Sequence, residues 1–155
     1  MANWLEHSVQ VDIPRPVATV WRYWADLEQM PRWMKWIQAV RISPEDPNLS
    51  TWELGTPDFS FSWRSRVVRS IERQIVQWES VGGLQNRGAA RFYGHPDGTT
   101  TVRLSVSYAI PFPLGEIMDG LFLGNLVEST LQKDMERFRD FVLQETTPQP
   151  TPNSP

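Results

Sequence analysis

The first apolar pattern of the chain has a period of two and covers residues 8–13. That period is typical of a strand with one buried face. Prolines then follow, and from Pro16 onward apolar residues recur every three or four positions. This spacing predicts a short amphipathic helix to about Asp26, because proline is well tolerated at a first helical position. A further helical turn is expected before Pro31.

Alternation of apolar and polar residues returns in the middle of the chain and predicts a series of strands. The segments are an extended stretch that ends near Pro44 and residues 49–54, 59–64, 76–78, 87–93 and 102–110. The last has the clearest pattern, since its apolar residues fall on one face and Arg103 falls on the other. An Asp97-Gly98 pair just before it is a hairpin-turn signal.

The final regular pattern predicts one long helix. No proline occurs from Glu116 to Gln144, and apolar residues recur there at intervals of four and three. A helix over this range is roughly 40 Å long at about 1.5 Å per residue. Residues 146–155 are rich in proline and are expected to form a disordered tail. The folded domain is therefore predicted to cover residues 1–145.

The order of these elements predicts an α+β domain in which two short helices follow the first strand and one long helix ends the fold. A sheet of six or seven strands with one wet face must cover its other face, and only the last helix is long enough to do so. We therefore expect a curved antiparallel sheet wrapped around the C-terminal helix. Small side chains between a concave sheet and a long helix would leave a cavity there.

Aromatic content adds a reason to expect a ligand. The 155 residues include eight tryptophans, seven phenylalanines and three tyrosines, which is more aromatic surface than packing alone usually requires. Interiors rich in aromatic groups often line ligand cavities. A hydrophobic small molecule is therefore the expected partner.

Charge and cysteine content exclude several other function classes. Lys and Arg number 15 against 18 Asp and Glu, and no basic cluster is present, so nucleic acid is not expected as a partner. The absence of cysteine excludes disulfides and suits a reducing compartment. The first residues meet charge at once instead of forming an apolar secretory signal, so the expected location is the cytoplasm.

Residue types suited to metal or nucleophilic chemistry are sparse. His7 and His95 are the two histidines, and no carboxylates stand near them at the spacing of a metal site. No metal and no cofactor are therefore expected. His95 precedes the Asp97-Gly98 turn and is interpreted as an exposed turn residue. A Gly-x-Ser-x-Gly elbow and a glycine-rich phosphate loop are both absent, which leaves hydrolysis and nucleotide binding without support.

One segment of the chain resembles a known family. Residues 20–37 contain an apolar helix, then Asp-Leu-Glu at 26–28, then Pro-Arg-Trp at 31–33 leading into the second strand. This order resembles the polyketide cyclase/dehydrase branch of the START-like (SRPBCC, helix-grip) superfamily, and the likeness extends over about residues 4–145. The resemblance implies a helix-grip fold with a cavity for a lipid, quinone, polyketide or sterol, as in coenzyme-Q-binding and lipid-transfer domains.

Alternation along the strands and the helix selects the candidate ligand contacts. They are, in chain order, Trp24, Trp33, Phe61, Trp63, Trp78, Phe92, Leu104, Val106, Tyr108, Met118, Leu121, Gly124 and Glu128. Tyr108 falls on an inward face, where its hydroxyl needs a partner from the protein or from a ligand. Glu128 interrupts the apolar stripe of the helix, so it either reaches the cavity as a polar anchor or lies on the helix flank near solvent.

Three functions remain open on these observations. The first is non-catalytic binding or transport of a hydrophobic small molecule. The alternative is a polyketide cyclase or dehydratase that uses Tyr108 and Glu128 for proton transfer. A third is transient membrane or partner contact through Phe112, Leu114 and Phe122. The same region either acts as a mobile lid over the cavity entrance or is covered permanently by the short helices.

Overall fold

The computed structural model describes residues 4–110 and 120–147, which form one sheet and three helical segments. The strands are β1 (Trp4–Ile13), β2 (Ile37–Ile42), β3 (Leu49–Gly55), β4 (Ser60–Ile71), β5 (Ile75–Gly83), β6 (Asn86–Gly94) and β7 (Thr100–Ala109). The helices are α1 (Val17–Ala25), a 3₁₀ helix (Leu27–Arg32) and α2 (Gly120–Glu145). Within the described residues, the seven strands pair antiparallel in the order β1-β7-β6-β5-β4-β3-β2. The predicted α+β helix-grip fold is confirmed.

The two short helices lie where the spacing predicted them. α1 follows Pro16, whose backbone is extended, and buries Val20 and Trp24 on one face. The 3₁₀ helix buries Met30 and contains Pro31. Proline has no backbone N–H to continue a helix, which keeps this segment short. No helix in the described part of the chain is long and apolar enough to cross a membrane.

Irregular pairing curls the sheet toward α2. The register of β4 against β5 shifts between Arg64 and Ser65 and again between Val67 and Arg69. An extra residue in one strand of a pair bends that strand and increases its twist. α2 packs along β1, and the side-chain amide of Gln132 donates to a β1 carbonyl at 3.1 Å. The concave inner face of the curved sheet is therefore the face that α2 covers, beginning at β1.

The second half of β4 was not predicted from the sequence. The predicted strand ended near residue 64, whereas β4 continues to Ile71. Val68, the extra residue at the second register shift, is 44% exposed, and Ile71 beyond the shift is also exposed, so apolar residues no longer mark the buried face. A bulge interrupts the period of two, and the sequence pattern then stops indicating a strand.

The last described residues, Thr146 and Thr147, belong to the predicted tail. Thr146 accepts a hydrogen bond from Nε of Arg15 at 2.7 Å, and its hydroxyl donates to the Val142 carbonyl at 2.6 Å. The first position of the predicted tail is thus bonded to the domain. Positions 148–155 lie outside the described residues, so the disorder expected of the tail stays a prediction.

An aromatic cluster forms the core between α1, the 3₁₀ helix and α2. The Phe138 ring is fully buried, and its centroid lies 4.9 Å from that of Trp33 and 5.2 Å from that of Trp24. Offset and edge-on contacts of this kind stabilise a core beyond the area that they bury. The cluster holds α2 against the short helices at one end of the sheet.

Alanine substitution is expected to destabilise the protein much more at Gly83 than at Gly82, although these residues are neighbours at the end of β5. Gly83 has a φ of +82°, a conformation that costs a residue with a Cβ about 1–2 kcal/mol. A Cβ there would also lie 2.7 Å from Cα of Trp63, whereas one at Gly82 would meet no atom within 4 Å. Gly83→Ala should lower the unfolding free energy by at least about 2 kcal/mol. Urea unfolding measures both variants, and equal values would contradict this account of the turn.

Candidate ligand-binding cavity

A cavity of about 200 Å³ lies between the inner face of the sheet, the 3₁₀ helix and α2. Its aromatic lining consists of Trp24, Trp36, Trp52, Phe59, Phe61, Trp63, Trp78 and Tyr108. Its aliphatic lining consists of Leu27, Met30, Met34, Ile37, Leu54, Val67, Val76, Leu84, Leu104, Val106, Leu123, Val127 and Leu131. The polar lining residues are Ser50, Ser65, Asn86, Thr130 and Asp134. Close-packed protein interiors rarely leave this much space, so the cavity is a feature of the fold and not a packing fault.

Strand alternation places the wall residues of the sheet. On β4, Phe61, Trp63 and Ser65 line the cavity, whereas Ser62 and Arg64 between them are exposed. Successive side chains of a strand point to opposite faces, which makes one face of β4 the cavity wall and the other the solvent surface. β7 contributes three wall residues at the same spacing, namely Leu104, Val106 and Tyr108.

Seven of the candidate contacts line the cavity. They are Trp24, Phe61, Trp63, Trp78, Leu104, Val106 and Tyr108. Their position agrees with the sequence pattern, and their contact with a ligand stays a prediction.

Four other candidates do not line the cavity, because neighbouring elements cover them or because the rotation of α2 turns them away. The alternation of apolar and polar residues does not contain this information. Phe92 faces inward but is covered by α1, where its ring centroid lies 5.1 Å from that of Trp21. Trp33 is enclosed by the core cluster and is 1% exposed. Gly124 sits over His7, since a Cβ there would lie 3.6 Å from Cε1 of that ring. The Glu128 side chain is 54% exposed, so of its two expected positions Glu128 has the one on the helix flank near solvent.

Several sequence-based expectations fall on parts of the chain that the structure leaves out. Met118, and with it Phe112 and Leu114, lie outside the described residues. The side chains of Leu121 and Phe122 are likewise not described. The predicted lid and membrane contact therefore stay predictions.

Sequence reasoning missed the contribution of β3. Ser50, Trp52 and Leu54 line the cavity at a spacing of two, and the Trp52 ring stacks on that of Trp63 with centroids 5.9 Å apart. The register of β3 against β4 places Trp52 opposite Trp63. The sequence predicted β3 as a strand. Its alternating positions would have identified these residues once β4 was known to be its neighbour, because Trp52 lies opposite Trp63.

Two of the polar wall residues, Ser50 and Asn86, are bonded to tryptophan side chains of the wall. Nε1 of Trp52 donates to the Ser50 hydroxyl at 2.8 Å, and Nε1 of Trp78 donates to Oδ1 of Asn86 at 3.3 Å. The Asn86 amide in turn donates to the Leu84 carbonyl at 2.9 Å. Buried polar groups that are satisfied in this way fix side-chain orientation, so the apolar faces of both indole rings are held toward the cavity.

Asp134 is a buried carboxylate at the α2 side of the cavity. It is 3% exposed, and Oδ1 accepts hydrogen bonds from the backbone N–H of Lys35, at 3.0 Å, and from the Arg137 guanidinium. Nε of Arg137 also donates to the Trp33 carbonyl at 3.0 Å. Burial raises the pKa of Asp134, and the hydrogen bonds and nearby positive charges offset only part of that effect. The network ties the segment before β2 to α2.

Asp134→Asn is expected to remove a pH-dependent loss of stability. Because burial raises the pKa of Asp134 above its ordinary value of 3.8, the folded state binds this proton more tightly than the unfolded state. Stability present below pH 3.8 is therefore lost as the pH rises through the folded pKa. The asparagine oxygen can still accept the Lys35 N–H. Relative to wild type, the variant should gain unfolding free energy between acid and neutral pH, and a difference independent of pH would contradict this.

A second polar group joins the cavity to the surface. The Tyr108 hydroxyl lies 3.2 Å from Nε2 of His7, and Nδ1 of His7 lies 3.8 Å from Oε1 of Glu128. Burial raises the pKa of Tyr108 to about 12, so the hydroxyl stays neutral at physiological pH. The protein partner of Tyr108 is thus His7, a residue that the sequence reasoning treated only as a possible metal ligand.

The curled sheet, the enclosed C-terminal helix and the apolar space between them define a helix-grip domain of the START-like class. The chain belongs to the family described as polyketide cyclase / dehydrase and lipid transport, whose model matches residues 13–136. This finding confirms the resemblance drawn from residues 20–37. No functionally curated protein matches the chain in sequence.

Solved structures share the fold at low sequence identity. A Thermus thermophilus protein has a TM-score of 0.79 and 17% identity, covering 92% of this chain and 100% of its own. The Zhui aromatase/cyclase from a Streptomyces species has a TM-score of 0.75 and 13% identity, covering 94% and 97%. A START superfamily protein from Mycobacterium smegmatis has a TM-score of 0.74 and 16% identity, covering 91% and 99%. Likeness at these identities shows the fold alone.

Proposed function

We propose that the cavity between the sheet and α2 binds a hydrophobic small molecule, such as a lipid, quinone, isoprenoid or polyketide, and that the protein holds or carries it. The observation that carries this proposal is the wall, which is aromatic and aliphatic apart from five polar residues. Apolar pockets with a few placed polar groups are typical of small-molecule sites. Burial of an apolar ligand surface there contributes roughly 25 cal/mol per Å².

The family supports the same proposal at a coarser level. Its description combines polyketide cyclase/dehydrase activity with lipid transport, and both act on molecules with large apolar surfaces. The polar wall groups Ser50 and Asn86 are already bonded to tryptophan side chains. A ligand therefore meets a wall that requires few polar partners from it.

Intrinsic fluorescence offers a direct test, because five of the eight tryptophans line the cavity. A panel of quinones, isoprenoids and fatty acids is titrated against purified protein, and solvent extracts of untreated protein are examined by mass spectrometry. At least one class should change the tryptophan emission in a saturable manner. An empty protein whose emission responds to no member of the panel would contradict the proposal.

A cyclase or dehydratase is the second candidate, and the contact between Tyr108 and His7 is the observation that favours it. A neutral tyrosine paired with an imidazole can pass a proton at the cavity wall. Glu128 lies 3.8 Å from the other ring nitrogen. If a substrate is found, Tyr108→Phe should lower kcat by about a hundredfold. This value is the lower end of the range usually seen when a positioned general acid is lost. Unchanged turnover would remove Tyr108 from any catalytic role.

A further inference from the structure

Three polar side chains form a line from the surface of α2 to the cavity wall. Glu128 is 54% exposed, the His7 side chain is 8% exposed, and Tyr108 lines the cavity. The Glu128 carboxylate lies 3.8 Å from Nδ1 of His7, and Nε2 of His7 lies 3.2 Å from the Tyr108 hydroxyl. The register places His7 opposite Val106, so Tyr108 is its diagonal neighbour on β7. We call these three residues the Tyr108 line.

The Glu128 carboxylate favours one of the two ring nitrogens of a neutral His7 as the position of the hydrogen. An ionised carboxylate can only accept hydrogen bonds, so its negative charge favours the N–H on the nitrogen that faces it, Nδ1. Nε2 then has a lone pair and no hydrogen. The contact between Nε2 and the Tyr108 hydroxyl can be a hydrogen bond only if Tyr108 donates it.

The direction of this bond fixes what Tyr108 offers to a ligand. A phenolic hydroxyl has one hydrogen and two acceptor lone pairs. Once the hydrogen is donated to His7, the Tyr108 oxygen can only accept. Since burial raises the pKa of Tyr108 to about 12, the group remains a neutral phenol and not a phenolate. A hydroxyl on the ligand can donate a hydrogen bond to the Tyr108 oxygen, whereas a ligand carbonyl has no hydrogen to donate.

Apart from Asn86, which lies opposite Tyr108 on β6 and is bonded to Trp78 and Leu84, the wall next to the Tyr108 line is apolar. Leu123 and Val127 line the cavity from α2, each one residue before Gly124 and Glu128. Val106 lines it from β7. A ligand whose hydroxyl reaches Tyr108 would therefore place its carbon skeleton against aliphatic side chains, and a polar group in contact with them would lose hydration without a partner.

We propose that Tyr108, oriented by His7 and Glu128, is the hydrogen-bond acceptor for a ligand hydroxyl, so that the cavity selects apolar alcohols, phenols or enols over the matching hydrocarbons and carbonyl compounds. This proposal rests on the proposed function that the cavity binds a hydrophobic small molecule. Tyr108 contacts the ligand, and His7 and Glu128 are positioning residues.

The test compares three probes of nearly equal size, 2-naphthol, 2-methylnaphthalene and 2-naphthaldehyde, by isothermal titration calorimetry. The quantity measured is the ratio of the dissociation constant of 2-methylnaphthalene to that of 2-naphthol. This ratio is compared between wild type and each variant, so that the difference in hydrophobicity between the two probes cancels. Tyr108→Phe should lower this ratio by about twofold to tenfold, the effect of one net hydrogen bond. The affinity of Tyr108→Phe for 2-methylnaphthalene itself should stay close to that of wild type.

Two variants test the direction of the hydrogen bond. Glu128→Gln should lower the preference for 2-naphthol, and Glu136→Gln, further along α2, serves as the control that should leave it unchanged. His7→Phe removes the acceptor for the Tyr108 hydrogen, so preference should move from 2-naphthol toward 2-naphthaldehyde. If this variant does not fold, Tyr108→Phe and Glu128→Gln still decide the question.

The outcomes separate the two proposals. Equal probe ratios in wild type and Tyr108→Phe, with all probes bound, overturn the role of Tyr108 and leave the proposed function standing. An equal ratio in Glu128→Gln and wild type overturns the orienting role of the carboxylate. Failure of wild type to bind any of the three probes or the lipid and quinone panel overturns the proposed function, and the Tyr108 proposal with it.

Discussion

Ser65→Leu is expected to weaken the binding of apolar probes by about tenfold or more, which corresponds to at least about 1.4 kcal/mol. Ser65 is buried on the inner face of β4 and lines the cavity. The larger side chain would occupy space that a ligand needs, and a ligand forced against it would have to displace packed groups at a cost of about 1–3 kcal/mol. Titration of 2-methylnaphthalene measures the change.

Ser62→Leu is the matched control for this substitution. Ser62 lies on the same strand and is exposed on the opposite face. The same chemical change there should leave probe affinity within about a factor of two, because surface substitutions usually act by less than about 0.5 kcal/mol. Both variants should unfold at similar urea concentrations. Equal affinities in Ser65→Leu and Ser62→Leu would show that the probe does not occupy this cavity.

Phe138→Ala is expected to lower the free energy of unfolding by about 3–5 kcal/mol, the usual cost of deleting a fully buried aromatic side chain. Phe138 has no exposed surface, and its ring contacts those of Trp24 and Trp33. Removal of the ring would leave a void that the two indoles and α2 cannot close without moving. Urea unfolding followed by far-UV circular dichroism gives the value.

Phe61→Ala makes the same chemical change in the cavity wall. Phe61 is half-buried and already borders empty space, so less packing is lost and the stability cost should be clearly smaller than for Phe138→Ala. Its effect on probe affinity should be the larger of the two. If Phe61→Ala destabilised the protein as much as Phe138→Ala, the distinction between core and cavity wall would be wrong.

Sequence patterns predicted the fold because each element carries its own period. The alternation in β7 and on the first half of β4 identified wall residues such as Trp63 and Val106, which lie in the cavity. Parity gives only the face of the sheet on which a side chain lies. It does not show that α1 covers Phe92, and for that reason this residue belongs to the core and not to the wall.

The contact between Tyr108 and His7 lies beyond such patterns. The two residues are 101 positions apart and meet only because β1 pairs with β7 at the edge of the sheet. The rotation of α2 is likewise set by tertiary packing, which buries Leu123 and leaves Glu128 exposed. A stripe with 4-3 spacing fixes the helical period, and a small rotation decides which flanking residue enters the cavity.

A crystal structure of the protein with 6-bromo-2-naphthol would show whether the cavity binds an apolar alcohol, because anomalous scattering locates the bromine independently of the protein density. We expect one dominant bromine site inside the cavity, with the naphthalene ring against Trp63 and Val106 and the hydroxyl oxygen within hydrogen-bonding distance of Tyr108. Bromine found only on the outer surface, in protein that calorimetry shows to bind the compound, would contradict it.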